Sequence, residues 1–174
     1  MQSETMQAIV NVNPEWGIGS ENRLLVHIRA DMRRFKTMTT GNTVIVGRIT
    51  LETFPGGKPL ANRKNIVLTR DPDFCCEDAI VCHDLAELRC ALFETDPESV
   101  FVCGGEQIYR QLLPYCSSAF VTLTDTDAKA DRFFPNLNLL PNWVLTESGE
   151  KQDEKGVAFR FLTYTNTETK ELWK

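Results

Sequence analysis

Short apolar runs alternate with amphipathic, helix-like segments along this chain. Three of the runs are apolar throughout, which is typical of strands buried on both faces of a sheet. The predicted strands are Met6–Val12, Thr43–Gly47, Asn65–Thr69, Ala79–Cys82, Val100–Cys103 and Ala119–Thr124. The predicted helices are Ile28–Met38, Arg48–Phe54, Asp84–Phe93 and the segment from Glu106 to Pro114.

The order of these segments indicates the fold class. Strands that alternate with helices predict an α/β protein with a mostly parallel central β-sheet flanked by helices. Near the C-terminus, Asn142–Lys151 and Val157–Thr165 alternate more loosely around Asp153–Gly156. This pattern predicts a C-terminal antiparallel hairpin at one edge of the sheet. We expect the 174 residues to form a single domain.

Two segments near the N-terminus lack a clear period. Residues 1–5 are polar and are expected to fray. Asn13–Asn22 contains one proline and two glycines and is expected to be a loop. Its Trp16 and Ile18 are then either exposed or folded over another part of the protein.

Composition excludes several function classes. The net charge is −5 and there is no block of Lys or Arg, so a nucleic-acid partner is not expected. No apolar run approaches the length of a membrane span and no leader is evident, so we expect a cytoplasmic protein without a membrane partner. We also expect a monomer.

Cysteine and histidine usage points to a reducing compartment without metal chemistry. The six cysteines include the adjacent pair Cys75 and Cys76, and no CxxC pair occurs. Free, buried thiols in a reducing cytosol are therefore expected. With two histidines and no HExxH motif, a metal site is not expected.

A glycine pair links a predicted strand to a predicted helix in VFVCGGEQIYRQLLP, which begins at Val100. Gly104 and Gly105 would leave bare backbone N–H groups at the positive end of a helix dipole, which favours an anion such as phosphate. The alternative is a close-packed turn without a ligand. From this stretch alone, the two interpretations are equally good.

Two arginines follow buried strands, and this observation favours a ligand. Arg48 and Arg70 come directly after Thr43–Gly47 and Asn65–Thr69, so both lie at the carboxyl edge of a parallel sheet, beside the glycine turn. Two guanidinium groups and free backbone N–H groups suit a dinucleotide with an additional phosphate. The first strand is not followed by GxGxxG, and no GxxxxGK[ST] or GxSxG motif occurs.

Asp31 borders the apolar stripe of its helix, formed by Ile28, Met32 and Phe35, with Arg33, Arg34 and Lys36 on the other side. Acidic residues are common in the first turn of a helix, and position alone favours a solvated carboxylate. The alternative is a buried acceptor for a flat, amidine-like heterocycle. Cys103 has no evident histidine partner and is interpreted as a core thiol.

Taken in order, six stretches resemble dihydrofolate reductases, and the match runs from about Met6 to Thr165. The stretches are Gly17–Gly19 (GIG), Ala30–Phe35 (ADMRRF), Val44–Thr50 (VIVGRIT), Leu60–Arg70 (LANRKNIVLTR), Cys103–Tyr109 (CGGEQIY) and Asp131–Pro135 (DRFFP). The resemblance implies the fold of that family. It also implies NADPH-dependent reduction of 7,8-dihydrofolate to tetrahydrofolate, which supports one-carbon metabolism, and binding of antifolates.

The resemblance also implies a substrate site. Asp31 matches the carboxylate that binds the pterin ring, and Thr122 matches the threonine that hydrogen-bonds this carboxylate; these two are the catalytic candidates. Arg63 matches the arginine that binds the carboxylate of the glutamate tail. The remaining substrate-binding candidates are Ile9, Val10, Met32, Phe35, Phe54, Leu60 and Cys103.

The cofactor named by the resemblance is NADPH. Arg48, Thr69 and Arg70 match the group that binds the 2′-phosphate, and the Gly104–Gly105 peptide is expected to be cis. Ile18 would abut the nicotinamide from a mobile loop that Asp131 holds from the opposite side. The other cofactor-binding candidates are Asn11, Gly47, Ile49, Thr50, Leu68, Cys103, Gly104, Gly105, Glu106, Gln107, Ile108 and Tyr109.

Two departures from the family pattern leave alternatives open. Val26 stands where the family usually has tryptophan, and Asn11 stands where most members have alanine. The first alternative is a pyrimidine reductase of riboflavin synthesis on the same scaffold, which would need phosphoribosyl contacts in place of Asp31 and Arg63. The second is a catalytically weak or regulatory NADP-binding relative.

Overall fold

The computed structural model describes residues 5–173. Its strands are β1 (Met6–Val12), β2 (Gly17–Ser20), β3 (Arg23–Leu24), β4 (Thr43–Val46), β5 (Lys64–Leu68), β6 (Ile80–Cys82), β7 (Val100–Gly104), β8 (Cys116–Thr124), β9 (Arg132–Phe133), β10 (Trp143–Ser148), β11 (Gln152–Glu154) and β12 (Val157–Asn166). Its α-helices are α1 (Arg29–Thr39), α2 (Arg48–Glu52), α3 (Leu85–Ala91) and α4 (Glu106–Leu112).

One nine-stranded sheet organises the chain, in the order β10-β12-β8-β1-β7-β4-β5-β6, with β11 paired to β12. From β8 to β6 every neighbouring pair is parallel, whereas β12 runs antiparallel to β8, β10 and β11. The predicted mostly parallel sheet with an antiparallel C-terminal edge is therefore confirmed. The tight turn of that edge lies at Lys155 and Gly156, between β11 and β12.

The central strands are apolar throughout because both of their faces are covered. Val44, Ile45 and Val46 of β4 have no exposed surface, and neither do Ile66 and Val67 of β5. This explains why these segments read as continuous apolar runs rather than as alternating ones. The polar side chains that follow them, at the carboxyl ends of the strands, are the ones free to meet a ligand.

The predicted loop over Asn13–Asn22 is wrong for its second half, which forms a separate small sheet. Strand β2 pairs with β3 and β9 in the order β3-β2-β9. Trp16 is buried and stacks on Phe134, with ring centroids 6.0 Å apart. Gly17 lies so close to Ala130 that a Cβ atom would not fit, so this position of the strand requires glycine. Because glycine has no side chain, the strand shows no alternation of apolar and polar residues in the sequence.

The N-terminal expectation was wrong at Thr5, which is buried. Residues 1–4 lie outside the described part of the chain. Helix α1 begins one residue later than predicted because Ile28 occupies the N-cap, where its apolar side chain provides no cap. A carboxylate from another element replaces the cap: Glu154 accepts hydrogen bonds from the backbone N–H groups of Arg29 (2.7 Å) and Ala30 (3.1 Å).

The six cysteines are all free, as predicted, but the expected burial is wrong for Cys75 and Cys90, which are exposed. Within residues 5–173, no group of three or more His, Cys, Asp or Glu side chains is placed to hold a metal ion. No helix in that same range is long and apolar enough to cross a membrane.

Candidate active site

A cavity of about 1120 Å³ opens at the carboxyl edge of the parallel strands. This volume is slightly above the ~300–1,000 Å³ of a typical site for one small molecule, which leaves room for an extended ligand or for two smaller ones. Its walls come from the ends of β1, β4, β5 and β7, from α1, α2 and α4, and from the β2–β3 hairpin. All the predicted site residues line it except Thr122, which is buried behind Asp31.

Asp31 projects from the first turn of α1 into this cavity. Thr122 Oγ1 of β8 donates a hydrogen bond to Asp31 Oδ1 at 2.5 Å, across 91 positions of sequence. Asn11 Nδ2 of β1 donates to Asp31 Oδ2 at 3.2 Å. The contact expected between Asp31 and Thr122 is therefore present, and the solvated alternative for Asp31 is wrong.

Burial dominates the electrostatics of Asp31. Removal from solvent raises its pKa above 3.8, while the hydrogen bonds from Thr122 and Asn11 and the charge of Arg34 oppose that rise. A carboxyl group with a raised pKa inside a ligand-sized cavity is characteristic of functional sites. It binds a proton or a cationic ring edge more readily than an exposed carboxylate does.

Arg34 does not lie on a solvated face, which corrects the predicted charge pattern of the helix. Its guanidinium carbon stands 4.3 Å from the centroid of the Phe161 ring and 5.8 Å from that of Phe120. Half-buried at the back of α1, it interacts electrostatically with Asp31 and Glu147. A cation–π contact explains why this basic residue packs inward, beside the acid that it helps to ionise.

Apolar side chains form the wall next to Asp31. Met32 is 45% exposed although it belongs to the apolar stripe of α1, because this part of the stripe faces the cavity rather than the core. Phe35, Phe54 and Leu60 line the same region. The result is a flat apolar slot with one carboxylate at its inner end, which suits a planar heterocycle with polar edge groups.

Arg63 lies at the outer end of this slot. Its Nη2 atom donates to Thr40 Oγ1 at 3.3 Å, and its guanidinium carbon is 5.9 Å from the centroid of the Phe35 ring. Its Nε atom is buried and has no hydrogen-bond partner. A buried donor without a partner is costly, so the Arg63 guanidinium group is available to donate to an acceptor on a ligand.

The glycine turn faces the other half of the cavity. The Gly104–Gly105 peptide is cis, as expected from the resemblance. Gly47 N donates to Gly104 O at 2.8 Å, which ties the turn to the start of α2. A Cβ atom on Gly105 would stand 3.1 Å from Thr50 Oγ1, so the backbone here is accessible only because the side chain is absent.

Tyr109 connects the glycine turn to the first strand. Its hydroxyl donates to the carbonyl oxygen of Ile9 at 2.6 Å, inside the core. Complete burial raises the pKa of this phenol well above 10.0, so it stays neutral as a donor. The hydrogen bond holds Ile9 at the edge of the cavity, where a second lone pair of its carbonyl oxygen remains for a ligand.

The basic residues predicted to hold a phosphate lie together at the far end of the cavity. Arg48 pairs with Glu52 at 2.9 Å on the surface of α2, and Arg70 is exposed at the end of β5. His83 joins them and was missed: its Nδ1 atom lies 3.0 Å from Thr69 O. A signal was available, because His83 directly follows a predicted parallel strand, as Arg48 and Arg70 do.

The β2–β3 hairpin covers the middle of the cavity and is held from outside. Asp131 N donates to Gly19 O at 2.9 Å, and Asp131 Oδ2 accepts from Glu21 N at 3.0 Å. Ile18 lies on this hairpin and lines the cavity. Four polar or basic residues of the same region were also missed as lining residues, namely Ser20, Asn22, Arg23 and His27.

Glu106, predicted to contact the cofactor, also has a structural partner. Its carboxylate accepts a hydrogen bond from Phe133 N at 2.8 Å, which joins the start of α4 to β9. The glycine turn and the hairpin are thus connected through one side chain.

Comparison with known proteins identifies the family. The family model described as dihydrofolate reductase matches residues 5–166. The chain belongs to the dihydrofolate reductase family. The resemblance inferred from the sequence is confirmed, and with it the NADPH-dependent oxidoreductase activity.

Individual dihydrofolate reductases cover most of the chain. The enzyme of Bacillus subtilis (strain 168) is 36% identical over 149 residues, which are 84% of this chain and 86% of that enzyme. The Neisseria gonorrhoeae enzyme is 38% identical over 148 residues, covering 84% and 89% of the two chains. The solved dihydrofolate reductase from Enterococcus faecalis, complexed with NADP(H) and RAB-propyl, matches with a TM-score of 0.81 and 30% identity over 94% of this chain and 97% of that chain.

The two departures from the usual dihydrofolate reductase pattern both lie at the cavity. Val26 lines it with an apolar side chain. The Asn11 side chain turns towards Asp31 and Thr124, so its polarity is directed at the acid. The substitution at position 11 therefore changes the surroundings of the one carboxylate expected to bind the pterin.

Proposed function

We propose that one cavity holds both reactants of a dihydrofolate reductase, with the pterin ring of 7,8-dihydrofolate at Asp31 and NADPH along the glycine turn. The observation that carries this assignment is the half-buried Asp31 carboxylate, hydrogen-bonded by Thr122, in the same cavity as Gly104 and Gly105. This arrangement places the proposed hydride acceptor and hydride donor in one cavity with a mostly apolar lining.

The inner end of the slot recognises the pterin by its polar edge. Asp31 accepts hydrogen bonds from the 2-amino group and N3 of the ring, and the carbonyl groups of Ile9 and Cys103 offer further acceptors. Met32, Phe35 and Phe54 cover the faces of the ring and exclude water. Because the acid is desolvated, its interaction with a protonated or N–H-rich ring edge is stronger than it would be in water.

Arg63 binds the far end of the same substrate. The carboxylate of the glutamate tail would satisfy the Nε atom that has no partner in the protein. A bidentate pair between guanidinium and carboxylate fixes orientation as well as adding affinity. Since the slot between Asp31 and Arg63 is apolar, a molecule with two polar ends and an aromatic middle matches it.

The residues at the other end fit a phosphorylated dinucleotide. Arg48, Thr69 and Arg70 would hold the 2′-phosphate, and the backbone of Gly105 and the following residues at the start of α4 would hold the pyrophosphate. When bound, NADPH supplies the hydride that adds to C6 of dihydrofolate. Ile18 and the β2–β3 hairpin exclude water from the reacting groups.

Asp31 also favours protonation of the ring at N5. The carboxylate stabilises positive charge on the pterin from the opposite edge, and the proton itself reaches N5 through water. Thr122 keeps the acid in one orientation by donating to Oδ1. Asp31 therefore acts by binding, orientation and electrostatics rather than by direct proton transfer to N5.

The pyrimidine reductase alternative lacks support at both ends of the slot. Such an enzyme needs contacts to a phosphoribosyl group where this cavity has Asp31, apolar rings and Arg63. The test is a competition assay with purified protein, in which dihydrofolate and a phosphoribosyl aminopyrimidine are offered together with NADPH. We expect NADPH oxidation to depend on dihydrofolate; preference for the pyrimidine would overturn the assignment.

We further propose that residues 1–174 form one domain that acts as a monomer in the cytoplasm. A cavity built entirely from one chain supports the monomer, and six free cysteines support a reducing compartment. Light scattering after size exclusion measures the mass directly. A dimer mass would contradict the proposal.

A further inference from the structure

Asn11 provides a second side-chain hydrogen bond to the catalytic carboxylate. We propose that Asn11 is a positioning residue for Asp31 and is itself held in its working orientation by Thr124. The inference rests on the role proposed above for Asp31. It gives Asn11 a function for its side chain, whereas the resemblance assigned it only to the cofactor site.

The register of two neighbouring strands places the donors side by side. Asn11 of β1 is paired with Thr122 of β8, and Thr124 lies two positions further along β8, so both threonines are on the same face. Thr122 donates to Oδ1 of Asp31 and Asn11 donates to Oδ2. Each oxygen of the carboxylate thus has one donor from the protein, which fixes the plane of the group.

Thr124 anchors the end of the Asn11 amide that points away from the acid. Thr124 is fully buried, and its hydroxyl donates to Asn11 Oδ1 at 2.7 Å. The amide nitrogen is directed at Asp31 Oδ2. The ionised acid selects this orientation, because a flipped amide would set Asn11 Oδ1 against Asp31 Oδ2, whereas the Thr124 hydroxyl can donate or accept and restrains the amide in its place.

This arrangement leaves the outward side of the carboxylate for substrate. An ionised carboxylate has about four acceptor positions, and the protein donors occupy one on each oxygen. The remaining positions lie in the plane set by Thr122 and Asn11, where two N–H groups of a flat ring edge can reach both oxygens. The Val26 side chain, which lines the same cavity, has no polar atom that could hydrogen-bond the carboxylate.

Other charged groups around the acid do not replace the Asn11 amide. Arg34 is on the same helix and favours the ionised form of Asp31 from behind. Tyr109 on α4 is buried and Cys103 on β7 is half-buried. Loss of solvation raises the pKa of each, so both are neutral near pH 7. Loss of the amide would therefore leave the ionised acid less stabilised.

The test measures the ionisation of Asp31 directly, by carbon NMR of its labelled carboxyl group, assigned through its absence in Asp31→Asn. In Asn11→Ala we expect the titration midpoint to rise by on the order of one pH unit, because a donor to a charged group is lost. We expect the KM for dihydrofolate to rise about tenfold. The Kd for NADPH should change less than about twofold, because the β1 backbone remains.

The variants Thr124→Val and Thr124→Ser form a matched pair. Valine removes the hydroxyl that anchors the Asn11 amide beside the acid and should raise the midpoint in the same direction, whereas serine keeps the hydroxyl and should restore the wild-type value. If Asn11→Ala does not fold, this pair decides the question. Equal midpoints in the valine and serine variants, or an unchanged midpoint in folded Asn11→Ala, would overturn the inference.

Failure of the inference and failure of the proposed function are distinguishable. If Asp31→Asn retains full dihydrofolate reduction, the role proposed for Asp31 is wrong, whatever Asn11 does. If Asp31→Asn loses activity while Asn11→Ala leaves the titration unchanged, only the positioning role of Asn11 is wrong.

Discussion

Replacing Arg63 with methionine tests how the outer end of the slot recognises substrate. Methionine keeps the length and the apolar stem of the side chain but removes the guanidinium fork. Arg63 Nε is buried without a partner, and burial lowers the pKa of the guanidinium. A carboxylate that arrives with the ligand therefore meets a cation that has already lost part of its hydration.

The magnitude follows from the type of contact. A charge-assisted bidentate pair in a partly desolvated site contributes about 2–3 kcal/mol to binding. At about 1.4 kcal/mol per factor of ten, the KM for dihydrofolate should rise roughly 30- to 150-fold in Arg63→Met. We expect Arg63→Lys to recover only part of this loss, because an ammonium group lacks the planar fork.

The assay follows NADPH absorbance with two substrates. Dihydrofolate carries the glutamate tail, and a dihydropterin without the aminobenzoylglutamate does not. Arg63→Met should leave the kcat/KM for the truncated substrate within about twofold of wild type, because only uniform binding to the tail is removed. Equal losses with both substrates would refute this role of Arg63, as would an unchanged KM for dihydrofolate.

Three further predictions concern the cofactor, the helix start and the small sheet. Arg70→Gln should weaken NADPH binding about 10- to 100-fold but NADH binding less than about twofold, because only NADPH carries the 2′-phosphate. Fluorescence titration measures both affinities, and the surface variant Arg33→Gln is the control. Equal effects on the two cofactors would contradict a phosphate contact. Glu154→Ala should lower the melting temperature at pH 7, because the hydrogen bond from Arg29 N lowers the pKa of Glu154 below 4.5. A carboxyl group whose pKa is lower in the folded protein stabilises the fold at pH values above its ordinary pKa. That stabilisation is lost as the pH falls through the pKa of the folded state, so the difference in melting temperature should vanish in acid. A difference that persists in acid would refute the charge effect. Gly17→Ala should reduce the free energy of unfolding by about 1–3 kcal/mol, because the new Cβ meets Ala130, and Ala130→Gly should recover most of it in denaturant melts; additive effects of the two changes would show that they do not meet.

The sequence predicted the parts of the fold that depend on local pattern. The apolar runs around Val44–Val46 and Ile66–Leu68 were recognised as buried parallel strands because they are short, apolar throughout and rich in β-branched residues. Strand β2 was missed because Gly17 and Gly19 have no side chain from which a period could be read. The inward packing of Arg34 was missed because helix periodicity does not register a cation that stacks on aromatic rings.

In the candidate site, too, local sequence pattern predicted some residues and contacts but not others. Arg48 and Arg70 were located by their position after strands, and the same rule would have included His83. The contact between Asp31 and Thr122 was expected from family resemblance, because no local pattern connects residues 91 positions apart. The direction of the Asn11 side chain depends on strand register and on Thr124, so only the folded chain reveals it.

The most direct test of the central claim is single-turnover hydride transfer in Asp31→Asn, measured beside its Kd for NADPH. Asparagine keeps the shape of the side chain and can still accept the hydrogen bond from Thr122, but it cannot carry the charge. We expect hydride transfer to dihydrofolate to slow by at least about a hundredfold, in the range found for positioned acid–base groups, while NADPH binding changes less than about twofold. Equal losses in both, or unimpaired transfer, would contradict the assignment of Asp31 to the pterin.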